Sequence, residues 1–230
     1  MPLPARIDAV LCDVGGPIYT DDNFLWAARR ALDEVRAAHD MGPADPAEVL
    51  RVYDSVRQAQ RGSIRTTLAR ELLGDESLRR ELAEPLSRYW THPPGTAYAD
   101  ALGLFEALHG RVRMAIVANQ EKATVEALKR DGFGDHIDVW GISAVVGHEK
   151  PSPEFFAWAL RACGTTAAHA VHIGNRLDTD VRPAKALGLG TIFVTRGEAP
   201  PHPTADQLAE ADLAVPDLTG VADVILERAR

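Results

Sequence analysis

The sequence predicts an α/β fold, a doubly wound parallel sheet with an all-helical domain inserted after its first strand. Three observations predict it. Apolar runs such as Ala9-Val10-Leu11-Cys12 are unbroken, as in strands buried on both faces of a parallel sheet. From Pro93 onward strand and helix patterns alternate, which implies parallel strands joined by helical crossovers. Between that first run and the alternation, Asp22 to Thr91 shows helical periodicity only. The expected division is therefore an α/β core of residues 1–20 and 93–230 and a helical domain of residues 21–92.

Taken in order, Ile7 to Asp13 is the first strand, and Gly15-Gly16-Pro17 ends it, because glycine and proline cannot continue it there. Asp22 to His39 places Phe24, Ala28, Ala31, Leu32 and Val35 on one helical face, and Gly42-Pro43 stops it. Asp45-Pro46 opens a second helix, with Asp as cap and Pro in the first turn. A third is expected from Ile64 to Leu73, and a fourth from near Asp75, interrupted at Pro85. Past Pro93-Pro94-Gly95, helices are expected at Ala99–Leu108, Lys122–Lys129, Pro153–Arg161 and Thr179–Leu187. Strands are expected at Val112–Val117, within Asp138–Val146, at Ala170–Ile173 and at Thr191–Val194, and a closing helix over Val215–Ala229.

The chain has 230 residues, 46% hydrophobic and 25% charged, and these values suit a soluble globular protein. No apolar run approaches the roughly 20 residues of a membrane helix, and the N-terminus lacks a signal-peptide core, so a cytoplasmic location is expected. Cys12 and Cys163 are too few for a disulfide framework or a zinc site and read as buried thiols. The net charge of −8, with no basic block, argues against nucleic acid. A small anionic substrate remains compatible, and a monomer or homodimer is expected.

Asp13 falls where the first strand ends, and in open α/β sheets the ligand crevice lies outside the carboxyl ends of the strands. A carboxylate there serves as nucleophile or metal ligand; on this stretch alone, a turn or cap aspartate explains it as well. The other strands run into Ala118-Asn119-Gln120, Gly147-His148-Glu149-Lys150-Pro151 and Gly174-Asn175-Arg176-Leu177-Asp178-Thr179-Asp180. Singly, each has an ordinary reading: a loop lysine, a turn amide, acids capping a helix or favouring its dipole. Together they bring a carboxylate, a lysine, amides and further acids to one sheet edge.

These motifs, in this order and with a helical insertion, resemble the haloacid dehalogenase superfamily, whose members are mostly phosphotransferases, and specifically its members with a helical cap after the first strand. The resemblance implies that Asp13 is a nucleophile forming a covalent intermediate. It implies that Lys150 balances charge between nucleophile and phosphoryl group, and that Asp180 orders Lys150 and the metal-bound water. It assigns Gly16, Asn119 and Gln120 to the substrate anion. It assigns Asp13, Gly15 (through its carbonyl), Asn175 and Asp180 to a Mg²⁺ ion, here weakly held or absent. The departures are Gly15 where an acid/base aspartate is usual, Ala118 where a hydroxyl residue is usual, and Asn175 where an acidic metal ligand is usual. Gly16-Pro17 also stands in place of Gly-Thr or Gly-Val. Losing the acid/base costs about 10²–10⁴ in rate, and Asn175 offers Mg²⁺ an oxygen without charge.

The leading expectation is a phosphatase of a small phosphorylated metabolite. One alternative is a metal-independent relative of the 2-haloacid dehalogenases, for which Arg29 or Arg30 is the nearest halide-binding arginine. Another is a non-catalytic binding protein on the same fold, opposed by the retention of Asp13, Lys150 and Asp180, a costly set to bury. The inserted domain is expected to close over the site and set specificity. By type only, Tyr19, Trp26, Arg29, Arg65 and Arg70 are candidates for substrate contact, and packing or surface roles explain each of them better.

Overall fold

The computed structural model describes residues 2–229. Six strands form one parallel sheet: β1 (Ala9–Cys12), β2 (Arg113–Ala118), β3 (Val139–Ile142), β4 (Ala170–Gly174), β5 (Gly190–Val194) and β6 (Leu213–Val215), ordered β3-β2-β1-β4-β5-β6. The chain winds outward in one direction from β1 to β3 and in the other from β4 to β6. The crevice between β1 and β4 is therefore the topological switch point.

The helical unit comprises Asp21–Thr91 together with Pro200–His202. Its helices are α1 (Asp22–Ala38), α2 (Pro46–Ala59), α3 (Ile64–Leu68), which continues as a π-helical turn over Ala69–Leu73, a 3₁₀ turn (Glu76–Arg80) and α4 (Ala83–Tyr89). The stripe Phe24, Ala28, Ala31, Leu32 and Val35 is buried, and the Asp45 side chain accepts from Ala47 N–H at the start of α2. These residues, with Val49, Val52, Leu68 and Leu86, form a hydrophobic core within the unit. Pro85 does not interrupt the last helix. It lies in the first turn of α4, where a missing N–H costs no intrahelical bond.

The α/β unit holds the rest of the described chain. It adds α5 (Ala99–Leu108), α6 (Ala123–Arg130), the short α7 (Ser143–Val146), α8 (Pro153–Cys163), a π-helical turn (Leu177–Val181) leading into α9 (Arg182–Ala186), α10 (Ala205–Ala209) and α11 (Val221–Leu226). Alternate residues of β1 enter opposite layers. Val10 and Cys12 pack with Phe105, Leu108 and Phe133, whereas Ala9 and Leu11 pack with Phe155, Phe156 and Ala159. That two-sided burial is why the strand has no polar residue until Asp13. Cys12 and Cys163 are both buried thiols.

Two differences from the sequence reading fall at the C-terminal end. Leu213–Val215 is an edge strand, and the closing helix begins only at Val221, after Gly220 at φ +76°. Helix α10 carries a reciprocal Thr204/Gln207 capping box, a Thr-x-x-Gln signal too short-lived in apolar pattern to stand out. On either side of the insertion the chain is zipped together within the α/β unit. Tyr98 N–H donates to Ile18 O at 2.8 Å, Thr20 N–H donates to Thr96 O at 2.9 Å, and Tyr19 bridges Ala97 antiparallel. His92 belongs to this unit: its ring stacks on Tyr19 at 4.3 Å and its Nε2 meets Gln120 Oε1 at 3.2 Å.

Candidate active site

Asp13 follows β1 directly, and its N–H donates to Ile173 O of β4 at 2.9 Å, so the backbone at the switch point fixes its position. Lys150 reaches it from the loop after α7. The Lys150 backbone is held at both ends by one side chain: Asn119 Oδ1 accepts from Lys150 N–H at 2.7 Å, and Asn119 Nδ2 donates to Lys150 O at 2.8 Å. Lys150 Nζ then lies 2.8 Å from Asp13 Oδ1 and 2.6 Å from Asp180 Oδ1. Asp180 sits in the π-helical turn after β4, a wide turn in which both Asp180 and Val181 N–H donate to Arg176 O. Its carboxylate lies against Gly174, where any Cβ would collide with it.

Asp180 accepts three hydrogen bonds. Oδ1 accepts from Lys150 and from His172 Nε2 at 3.0 Å, and Oδ2 accepts from the Arg176 N–H at 3.0 Å. None of its side chain is exposed, and through Oδ1 it orients Lys150. His172, buried on β4, is a site residue the sequence reading missed: a histidine inside an apolar strand reads as core. Burial holds its pKa below the ordinary value, so it is neutral and donates Nε2–H to Asp180.

Two carboxylates on one lysine titrate very differently. Burial pushes Asp13 up to about 6, against the pull of Lys150 and with Asp180 adding to the rise. Burial acts on Asp180 too, but Lys150 and His172 outweigh it and hold its carboxyl well below the usual range. Lys150 is disfavoured as a cation by burial, and the two carboxylates more than restore it, raising its pKa. The first proton taken up by the pair therefore goes to Asp13, the more open of the two at 14% exposed.

The loop after β1 is shaped by Gly16 and Arg196. Gly16 has φ +83°, and a Cβ there would run into the Asn175 amide. Asn175 Nδ2 donates to Arg196 O at 3.1 Å. The Arg196 guanidinium in turn donates to Gly16 O at 3.0 Å and Pro17 O at 2.6 Å, pairs with Asp100 at 2.8 Å and lies over the Tyr98 ring. Arg196 was also missed; its one signal is its place just beyond the apolar run of β5, at the same sheet edge.

The remaining expected residues are placed as follows. Gln120 is engaged within the fold: its N–H donates to Ser143 Oγ, and its Oε1 meets His92 and the Thr124 hydroxyl. Asn119 binds the Lys150 backbone, so its side chain positions the lysine. Asp178 pairs with the Arg176 guanidinium through both oxygens. Tyr19 is core, its hydroxyl donating to Asp131. Trp26 and Arg29 lie exposed on α1, where with Asp22, Leu25, Pro46 and Val49 they line a shallow cavity of about 280 Å³ within the helical unit.

Asp13, the Gly15 carbonyl and Asn175 Oδ1 are hard oxygen donors of the type Mg²⁺ takes. No cluster of three His, Cys, Asp or Glu suited to a metal occurs among the described residues. The donor set thus fits a hard divalent cation in ligand type, with Asp13 as its single anionic member. No helix of the described chain is long and apolar enough to cross a membrane.

A family model described as haloacid dehalogenase-like hydrolase matches residues 7–188. The chain is 33% identical over 165 residues to the phosphoserine phosphatase of Thermus thermophilus, covering 70% of this chain and 64% of that protein. It is 42% identical over 57 residues to the glyceraldehyde 3-phosphate phosphatase of Methanopyrus kandleri, a quarter of this chain and 24% of that one. The match thus spans less than two thirds of these relatives' lengths. A HAD phosphatase structure from Thermococcus onnurineus superimposes with a TM-score of 0.64 at 21% identity, covering 95% of this chain and 98% of that chain, a likeness of fold.

Proposed function

Because the chain belongs to the haloacid dehalogenase-like hydrolases, we propose that it is a phosphatase of a small phosphorylated metabolite, working through a phosphoaspartate on Asp13. The observation that carries this reading is Lys150 Nζ bridging Asp13 and Asp180 at 2.8 and 2.6 Å. Ionised Asp13 supplies the oxygen that attacks phosphorus. Lys150, at the same carboxylate, offsets the charge gathered there in the transition state. Asp180 and His172 hold the ammonium in place, so little reorganisation is needed when charge develops. Asp13, Gly15 and Asn175 would hold Mg²⁺, which when bound would screen the repulsion between the carboxylate and an incoming phosphate. The helical unit is proposed to act as the cap that sets specificity.

Asp13→Asn should abolish phosphate release, and acid-quenched wild-type enzyme should carry a phosphorylated Asp13 peptide by mass spectrometry. Activity surviving in the variant would rule out the covalent route. The single anionic donor favours a second reading, metal-independent dehalogenation, for which halide release from 2-haloacids in EDTA is the discriminating assay. A non-catalytic role is opposed by the lysine–carboxylate array of Asp13, Lys150 and Asp180, whose desolvation has no compensating purpose in an idle site.

A further inference from the structure

The phosphatase reading leaves open how the departing oxygen is protonated. In the first step an Asp13 oxygen bonds to phosphorus and the bond from phosphorus to the leaving oxygen breaks, its electron pair staying on that oxygen. An alkoxide, comparable to hydroxide with a parent pKa of about 15.7, needs a proton at that moment. A carboxylate or phenolate, with parent pKa of about 4 or about 10, does not need one to the same degree.

Among the described residues of the α/β unit, the ionisable side chains named below are already engaged by other groups. Gly15, two residues past the nucleophile, has no side chain. Lys150 Nζ is engaged by two carboxylates, at 2.8 and 2.6 Å. Asp180 accepts three hydrogen bonds. His172 has its Nε2–H on Asp180 and is buried. The Cys12 thiol donates to Asp13 O. Arg196 is a permanent cation engaged with Gly16, Pro17 and Asp100. Asp178 and Glu198 are both paired to Arg176.

Resting on the phosphatase reading, we infer that this chain takes phosphates whose leaving oxygen is stable as an anion, namely acyl, enol or aryl phosphates, in preference to phosphates of simple alcohols. The second step is compatible with the same site. Water attacks phosphorus of the phosphoaspartate, Asp13 leaves as a carboxylate, and the water's second proton stays on the product as dihydrogen phosphate, so charge and atoms balance. That step also lacks a base, so with a good leaving group it is the slow one.

The experiment measures kcat/KM for a series of aryl phosphates, acetyl phosphate and a simple alkyl phosphate, with a rapid-mixing trace of leaving-group release. The expected result is a fall of about 100-fold or more from the best aryl to the alkyl substrate, the scale that a missing acid leaves uncompensated, and a burst of one leaving group per enzyme with the best ones. A second variant, Gly15→Asp, should raise the alkyl rate relative to the aryl rate. Gly15, unlike Gly16, is not among the positive-φ glycines, so a side chain there meets no left-handed backbone strain. Alkyl and aryl phosphates cleaved within a factor of ten by the native enzyme would overturn the inference and leave the phosphatase reading standing. No turnover of any member, with Asp13 unphosphorylated, would overturn the phosphatase reading and this inference with it.

Discussion

Asp13 is shared by two sets of residues. One is Lys150, Asp180 and His172, all buried and joined by contacts of 2.6–3.0 Å. The other is Gly15, Gly16, Ala118 and Asn175, none of which carries an ionisable side chain. The first set fixes charge, and each member loses its partner if another is removed. The second shapes backbone and leaves charge to whatever binds. The contrast between Asp13 and Asp180 makes the same point at atomic scale. Asp180 is the more deeply buried, yet its carboxyl is held low while Asp13 is raised to about 6. The number of donors aimed at each carboxylate, more than burial, decides the direction.

The largest test of this contrast is stability. Lys150→Ala leaves two carboxylates without their cation, and Asp180→Asn removes the anion that Lys150 and His172 donate to. Each should cost about 3–5 kcal/mol in urea unfolding, the range for a broken buried pair. Asp13→Asn should behave oppositely. Because the folded-state pKa of Asp13 lies above its ordinary value, its contribution favours folding below that ordinary value and is lost as pH rises through about 6. At pH 8 the un-ionisable variant should melt at or above the native temperature. If it melts as low as Asp180→Asn, the two carboxylates are equivalent and the contrast is broken.

Activity should show the same asymmetry. With Asp13 as the proposed nucleophile, only its ionised form would attack, so kcat/KM should fall about tenfold per pH unit below about 6. Asp180, held below the usual range, should add no inflection between pH 5 and 8. A profile flat down to pH 4.5 would mean Asp13 is not raised.

The smallest effect sharpens the uncharged side. Asn175 now donates an N–H to the Arg196 carbonyl, and Asn175→Asp would set a carboxylate against that oxygen. Its melting temperature should drop by a few degrees without Mg²⁺ and recover on adding it, with calorimetric Mg²⁺ affinity rising about tenfold from the added anionic ligand. An unchanged affinity would remove Asn175 from the metal shell.

The sheet was legible because its strands are buried on both faces, so apolar runs mark them without ambiguity. Leu213–Val215 escaped because an edge strand of three half-buried residues has no such run. The π-helical turn escaped because an extra residue per turn leaves no mark in composition. It is, however, what aims Asp180 at Lys150. At the site, charged residues next to strand ends stood out, and the meeting of Asp13, Lys150 and Asp180 follows from the sheet order. What stayed hidden depends on side-chain direction: the grip of Asn119 on the Lys150 backbone, the inward turn of Gln120, and the roles of His172 and Arg196. Spacing along the chain does not encode which way an amide or a guanidinium points.

The short zipper around Ile18–Thr20 and Thr96–Tyr98 has a consequence for how this chain can change. It brings the two ends of the insertion together inside the α/β unit, so the neighbours β1 and β2 can pair whatever lies between. Loop-closure cost grows only with the logarithm of loop length, about 0.6 kcal/mol per doubling. The intervening segment can therefore lengthen, shorten or be exchanged for another with little penalty to the sheet. Residues 21–91 can in that sense be replaced along the chain while the sheet edge keeps Asp13, Lys150 and Asp180 in register.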